Sequence, residues 1–357
     1  MINADVKSIA RDNHDVAVSP LTRDYANSGL NSKRHSRLGE SKDRRYPILG
    51  GSALEDTMTA EHFGSVARVT INSIREKKAQ RRPITFITAY DYPTARLVDE
   101  AGIDMILVGD TLSEVVLGYE NTIPVTFEAM LHHTSAVRRA TKCALLVADM
   151  PYGSYHVGED EALRFALRFV KEGGAQAVKI EGGQKRVRLI RRMLDAEIPV
   201  MGHLGLTPQS VHRMGGYKVQ GKLAGEIELL LEDALALDNV GVFAIVLEGI
   251  PREVAKLIST EVSAATLGIG AGPDCDGQVI VLNDILGLTF KRPPKFVRQY
   301  VDGASAIRTG IVRFKTDVES NSYPSDRESY HLPPDLLIVL PEILRRIKES
   351  GNNATTP

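Results

Sequence analysis

"AVKIEGG", residues 177–183, has the apolar run of a buried strand in Ala177, Val178 and Ile180, yet Lys179 and Glu181 interrupt it and two glycines close it. A buried charge is costly unless it is paired or bound to a metal. Spaced two apart, Lys179 and Glu181 fall on one side of a strand. That side is either an exposed edge or faces a place that needs both charges.

The pattern is not isolated. Apolar runs recur at "ITFITAYD" (84–91), "MILVGD" (105–110), "ALLVADM" (144–150), "PVMGHLG" (199–205), "FAIVLEG" (243–249), "ATLGIGAG" (265–272) and "VIVLNDILG" (279–287). Their length and continuity suit parallel strands buried on both faces. Between most of them lie amphipathic segments of helical length. "EALRFALRFVKEGG" ends at a glycine pair, and "REVAKLIS" begins just after Pro251. Strand and helix alternating about eight times over roughly 200–250 residues predict an α/β fold, a (β/α)₈ TIM barrel. A doubly wound sheet is the rival, but in "GIGAGP" Pro273 falls where the third glycine of a dinucleotide fingerprint belongs. A tight turn is the better use of those glycines.

Asp91, Asp110, Asp149, Lys179, Glu181, His203 and Glu248 lie at or near the C-terminal ends of six different runs. In a barrel those ends converge on the face that carries active sites. Lys179 and Glu181 then point into a shared charged pocket.

The 357 residues carry 44 Lys+Arg against 45 Asp+Glu, a balance that offers no electrostatic case for nucleic acid or an anionic membrane. Cys143 and Cys275 are too few for a disulfide framework or a zinc cage, which points to a reducing compartment. No apolar run approaches the ~20 residues of a membrane span. A soluble, cytoplasmic protein is expected. Residues 1–65 show no periodicity and read as a disordered extension. Their Arg and Ser content raises a mitochondrial matrix address as the alternative, against which stand Asp5, Asp12, Asp15 and Asp24. The barrel is expected over 66–335, with a helical tail over 336–357.

Asp110, Asp149 and Glu181 supply hard oxygen donors that suit Mg²⁺ better than zinc. Each acid alone would equally serve as a helix cap; three at converging strand ends favour the metal. Lys179 would hold a substrate anion as a point charge or form a Schiff base, and the carboxylates around it favour the charge. His203 would donate to a substrate oxygen or be a structural histidine. Glu248 closes the apolar run "AIVLE", where burial would raise its pKa towards that of a general base; capping the next helix is its other reading. A metal beside a base suggests removal of a proton next to the carbonyl of a 2-keto acid.

At these residues the sequence resembles the ketopantoate hydroxymethyltransferase family. The resemblance is carried by "TAYDYPTA", "ILVGDTLSEVVLGYENTIPVT", "LVADMPYGSY", "AVKIEGG", "GHLGLTPQSVHRMGGYKVQGK", "IVLEGIP" and "GIGAGPDCDGQV", seven blocks in order. It implies a barrel that transfers a one-carbon unit from 5,10-methylenetetrahydrofolate to 3-methyl-2-oxobutanoate, giving 2-dehydropantoate for pantothenate synthesis. It also implies Asp110, Asp149 and Glu181 as Mg²⁺ ligands, and Asp110, Thr111, Asp149 and Lys179 as keto-acid contacts. Glu248 would be the proton acceptor and His203 a pocket residue near the substrate. The family's decamers imply a homo-oligomer. Thr111 departs from the usual serine of the family but keeps the hydroxyl, and "LEGIP" departs from Leu-Glu-Cys-Val-Pro without touching the base.

Two other functions compete. A Mg²⁺-dependent C–C lyase or mutase on a 2-keto acid would use similar carboxylates, but usually adds a reactive cysteine on a mobile loop, and neither Cys143 nor Cys275 is placed for that. A silent barrel acting as a binding protein would have no use for so much charge at the strand ends.

Overall fold

The computed structural model describes residues 67–352, with side chains through residue 350. The expected extension, residues 1–65, lies outside the described residues.

Eight parallel strands among the described residues close into one barrel in chain order. They are β1 (Ile84–Thr88), β2 (Met105–Val108), β3 (Leu145–Asp149), β4 (Ala177–Glu181), β5 (Val200–Gly205), β6 (Ala244–Glu248), β7 (Ala265–Ile269) and β8 (Gly277–Ile280). Closure comes from β8 pairing with β1, Gly277 beside Ile84. A Cβ on Gly277 would stand 2.3 Å from the Ile84 carbonyl oxygen, so the seam needs a glycine there.

The helices are α1 (Ile71–Ala79), α2 (Tyr92–Glu100), α3 (Leu112–Val115), α4 (Phe127–Ala140), α5 (Glu159–Lys171), α6 (Val187–Asp195) and α7 (Val211–Met214). They continue with α8 (Ala224–Val240), α9 (Arg252–Glu261), α10 (Leu282–Ile285), α11 (Gly303–Glu319) and α12 (Pro334–Asn352). The period-two alternation sorts strand residues into two cores. Phe86, Met105, Leu107, Val147, Met201 and Leu267 fill the barrel interior. Ile106, Val108, Val178, Ile180, Ile245 and Leu247 pack outward against helix faces such as Ala162, Ala166 and Phe169 of α5.

Helix α1 stops the N-terminal mouth. Ile74 enters the interior core, while Lys77 pairs with Asp104 and Lys78 Nζ lies 2.9 Å from Asp276 Oδ2. Asp104 and Asp276 each also accept from the backbone N–H and the hydroxyl of one threonine, Thr85 and Thr266 respectively. With that end sealed, the interior opens at the C-terminal ends of the strands.

Three expectations need correction. Asp91 is not a site residue: its carboxylate caps α2, accepting from Thr94 N at 2.8 Å. The last strand begins at Gly277 and stops at Ile280, and the rest of "VIVLNDILG" turns into α10. Strand β7 reaches β8 without a helix, because residues 270–276 are too few for the ten or more a helical crossover takes. The outer face there stays bare, and Ile84, Ile87, Ile103 and Ile280 line an open groove.

Candidate active site

Asp110, Thr111, Asp149, Lys179, Glu181, His203 and Glu248 all line one cavity at the C-terminal mouth. The strand register sets their order. Asp149 lies beside Lys179 across the β3–β4 pair, Glu181 beside His203 across β4–β5, and Gly205 beside Glu248 across β5–β6. Asp110 and Thr111 follow β2, where Thr111 opens α3 without capping it through its hydroxyl. Leu107, Val246, Ile269 and Val279 give the cavity an apolar wall.

The charged groups form a continuous chain. Lys179 Nζ lies 2.8 Å from Asp149 Oδ1, and Asp149 Oδ2 accepts from Asp110 N at 3.2 Å. Lys179 Nζ is also 3.3 Å from His203 Nδ1. The imidazole reaches Glu181 Oε1 at 3.5 Å with Nδ1 and Glu248 Oε2 at 3.2 Å with Nε2. Asp110, Asp149, Lys179, Glu181 and His203 are buried; the Glu248 side chain keeps 17% of its exposure. The full burial expected of Glu248 is therefore not found, because β6 ends at this residue and its carboxylate reaches the open side of the cavity. The charged group beside it is His203, 3.2 Å away.

Burial and the charges of Asp149 and Glu181 push the Asp110 carboxyl well above the usual range. Burial likewise raises Asp149, against the pull of Lys179. Burial works to discharge Lys179, but Asp149, Glu181 and Asp110 outweigh it and hold the ammonium above its ordinary range. At His203, burial and Lys179 oppose protonation; the neighbouring carboxylates of Glu181 and Glu248 prevail and lift it to about 9. The three carboxylates around Lys179 thus favour its charged form.

Among the described residues, no three His, Cys, Asp or Glu side chains stand close enough to enclose an ion by themselves. The donor set still fits a magnesium-like cation. Asp110, Asp149 and Glu181 are buried at three successive strand ends, and Glu181 Oε1 is a buried carboxylate oxygen without a hydrogen bond. Four carboxylates, counting Glu248, face only Lys179 and His203 as cations. Magnesium is commonly held by one or two carboxylates with water and substrate completing the shell, so a closed protein cage is not required.

Two residues that the sequence reading missed tie this layer together. Gln209, in the turn after β5, donates through Nε2 to Asp110 Oδ2 at 2.9 Å and through its backbone N to Glu181 Oε2 at 3.1 Å. Tyr155, in the loop after β3, reaches Gln209 with its hydroxyl, and Arg186 lies over its ring, 4.7 Å from the centroid. Both come from loops, where the two-residue period that exposed Lys179 and Glu181 does not apply. The one available signal was Pro208, which marks a turn directly at a strand end.

The family model described as ketopantoate hydroxymethyltransferase matches residues 68–326. A Koribacter versatilis protein named 3-methyl-2-oxobutanoate hydroxymethyltransferase is 63% identical over 280 residues, 78% of this chain and 95% of that protein. A Syntrophomonas wolfei protein of the same name is 50% identical over 272 residues, 76% of this chain and 99% of its own. Among solved structures, an oxaloacetate acetylhydrolase complexed with oxalate aligns over 79% of this chain and 98% of its own, with a TM-score of 0.49 at 15% identity.

Proposed function

This chain belongs to the ketopantoate hydroxymethyltransferase family and is a hydroxymethyltransferase, and from that premise we propose how its cavity performs the transfer. The acceptor is 3-methyl-2-oxobutanoate, the donor 5,10-methylenetetrahydrofolate and the product 2-dehydropantoate, an intermediate of pantothenate synthesis. The observation that carries this reading is the single cavity joining Lys179 and three buried carboxylates to Glu248 beside an apolar wall.

Lys179 and the Thr111 hydroxyl bind the oxygens of the keto acid, and Asp149 holds Lys179 in place. The isopropyl group lies against Val246, Ile269 and Val279. Asp110, Asp149 and Glu181 hold a divalent cation, Mg²⁺, which when bound supplies a Lewis acid for the keto-acid oxygens. Glu248, oriented by His203, takes the proton from C3. C3 then bonds to the methylene carbon, both bonds from that carbon to the folate nitrogens N5 and N10 break, and water provides the hydroxyl. The proton from C3 and the one released by water end on the two nitrogens, giving tetrahydrofolate.

Homo-oligomerisation is part of the same proposal. Ile307, Ile311, Phe314 and Val318 form an exposed stripe on α11, as do Leu336, Leu340, Ile343 and Ile347 on α12. Such stripes at helical spacing, and the bare groove beside β8, are faces for a second copy. No helix among the described residues is long and apolar enough to cross a membrane. The low cysteine content supports a reducing compartment, the cytoplasm.

The deciding assay follows 2-dehydropantoate formation from the keto acid and methylenetetrahydrofolate, with and without EDTA. Formation that stops on chelation and returns with Mg²⁺ supports the reading. No product with either cation supply overturns the substrate assignment, and product unaffected by exhaustive chelation overturns the metal.

A further inference from the structure

Gln209 and Tyr155 lie behind the carboxylates, buried and away from the cavity lining. The Gln209 amide is saturated. Its Nε2 donates to Asp110 Oδ2 and to the Met150 carbonyl, both at 2.9 Å, and its Oε1 accepts from Tyr155 OH at 2.5 Å. The Met150 carbonyl can only accept, so Nε2 must face it and Asp110 together, and Oε1 is left for the tyrosine. Tyr155 OH in turn accepts from Glu181 N at 3.4 Å, while Gln209 N donates to Glu181 Oε2 at 3.1 Å.

One amide and one hydroxyl therefore bridge β2, the β3 loop, β4 and the β5 loop. Each carboxylate has one oxygen tied back from the cavity: Oδ2 of Asp110 and Oε2 of Glu181. Glu181 Oε1 stays without a hydrogen bond, and both residues line the cavity. We propose that Gln209, held in one orientation by Tyr155, is a positioning residue that presents Asp110 and Glu181 to the divalent cation. This rests on the cation reading above.

The physical reason is preorganisation. Asp110 and Glu181 repel one another and would turn apart in a buried site unless neutral donors held them. A glutamine suits this place because it supplies donors without adding a cation that would compete with the ion.

The test measures Mn²⁺ binding to the full chain by electron paramagnetic resonance, without substrate. The variants are Gln209→Met, which keeps the length, Tyr155→Phe, which removes only the hydroxyl, and the double variant. Each single change is expected to weaken Mn²⁺ binding ~10–100-fold. The double variant should be little worse than the poorer single one, since both act through one network. With saturating Mn²⁺, kcat should recover further than the keto-acid KM. If Gln209→Met does not fold, Tyr155→Phe alone decides. A purely structural role would lower the melting temperature and leave Mn²⁺ affinity unmoved, and that result overturns the proposal while the cation reading stands. Wild-type protein that takes up no Mn²⁺ overturns both.

Discussion

His203 Nε2 lies 3.2 Å from Glu248 Oε2, so the proposed base is tied through one imidazole to the carboxylate layer on the far side of the ring. Glu181 and Glu248 share that histidine and hold it charged, which gives a titration that can be measured directly. In metal-free protein, His203 should titrate near pH 9 by NMR, well above the 6.5 of a free imidazole. Because the folded value is raised, its contribution to stability is complete below pH 6.5 and fades as pH rises through 9. Glu248→Gln removes one of the two partners and should move the titration downward. A His203 that titrates near 6.5 in wild type would show that the carboxylates do not hold it.

Asp149 serves two partners, Lys179 Nζ at 2.8 Å and the Asp110 backbone N at 3.2 Å. Asp149→Asn keeps the shape but leaves a buried ammonium facing a neutral amide. Mg²⁺ affinity is expected to fall about 100-fold or more and the keto-acid KM to rise with it, because one carboxylate supports both. Calorimetric titration of each ligand checks this. Loss of keto-acid binding with Mg²⁺ affinity intact would restrict Asp149 to holding Lys179.

At the opposite mouth, Asp276 accepts from Lys78, Thr266 N and Thr266 Oγ1. Asp276→Ala leaves Thr266 N without its acceptor, while Lys78 keeps the Ser259 and Ala264 carbonyls and the Thr266 hydroxyl keeps Ser259. It should destabilise the protein by about 1–3 kcal/mol, read as a lower urea midpoint. Arg345→Ala on α12 breaks only exposed pairs with Glu342 and Glu349 and should cost about 1 kcal/mol or less. Equal midpoints for the two variants would remove α1 from the list of elements that hold the barrel closed.

Lys179 and Glu181 were legible because charge inside an apolar run is conspicuous and a strand has a fixed two-residue period. The same rule failed at Asp91, since an acid that ends a strand and one that caps the next helix occupy the same place in a sequence. The β7–β8 connection misled for a related reason: "GAGPDCDG" reads as a turn, but only its length says that no helix fits, and so that one barrel face is bare. Gln209 and Tyr155 were invisible because loop conformation, not periodicity, decides where their side chains point. The distances that make His203 a bridge between two carboxylates follow from inter-strand register, which no single run encodes.

The partial exposure of Glu248 sharpens the test of its role. Its side chain keeps 17% of its exposure and its carboxylate lies 3.2 Å from His203 Nε2. General bases typically contribute ~10²–10⁴-fold, so Glu248→Gln should lower kcat by about that much. Gln keeps the shape and Glu248 is not a proposed ligand, so Mn²⁺ affinity should hold. Omitting the folate isolates the proton transfer. With Mg²⁺ in D₂O, wild type should exchange the C3 proton of 3-methyl-2-oxobutanoate, followed by NMR, and Glu248→Gln should not. His203→Gln, which removes the orienting ring and not the carboxylate, should slow the exchange without abolishing it. If Glu248→Gln exchanges as fast as wild type while His203→Gln does not, the proton goes to the imidazole and the roles of the pair are reversed.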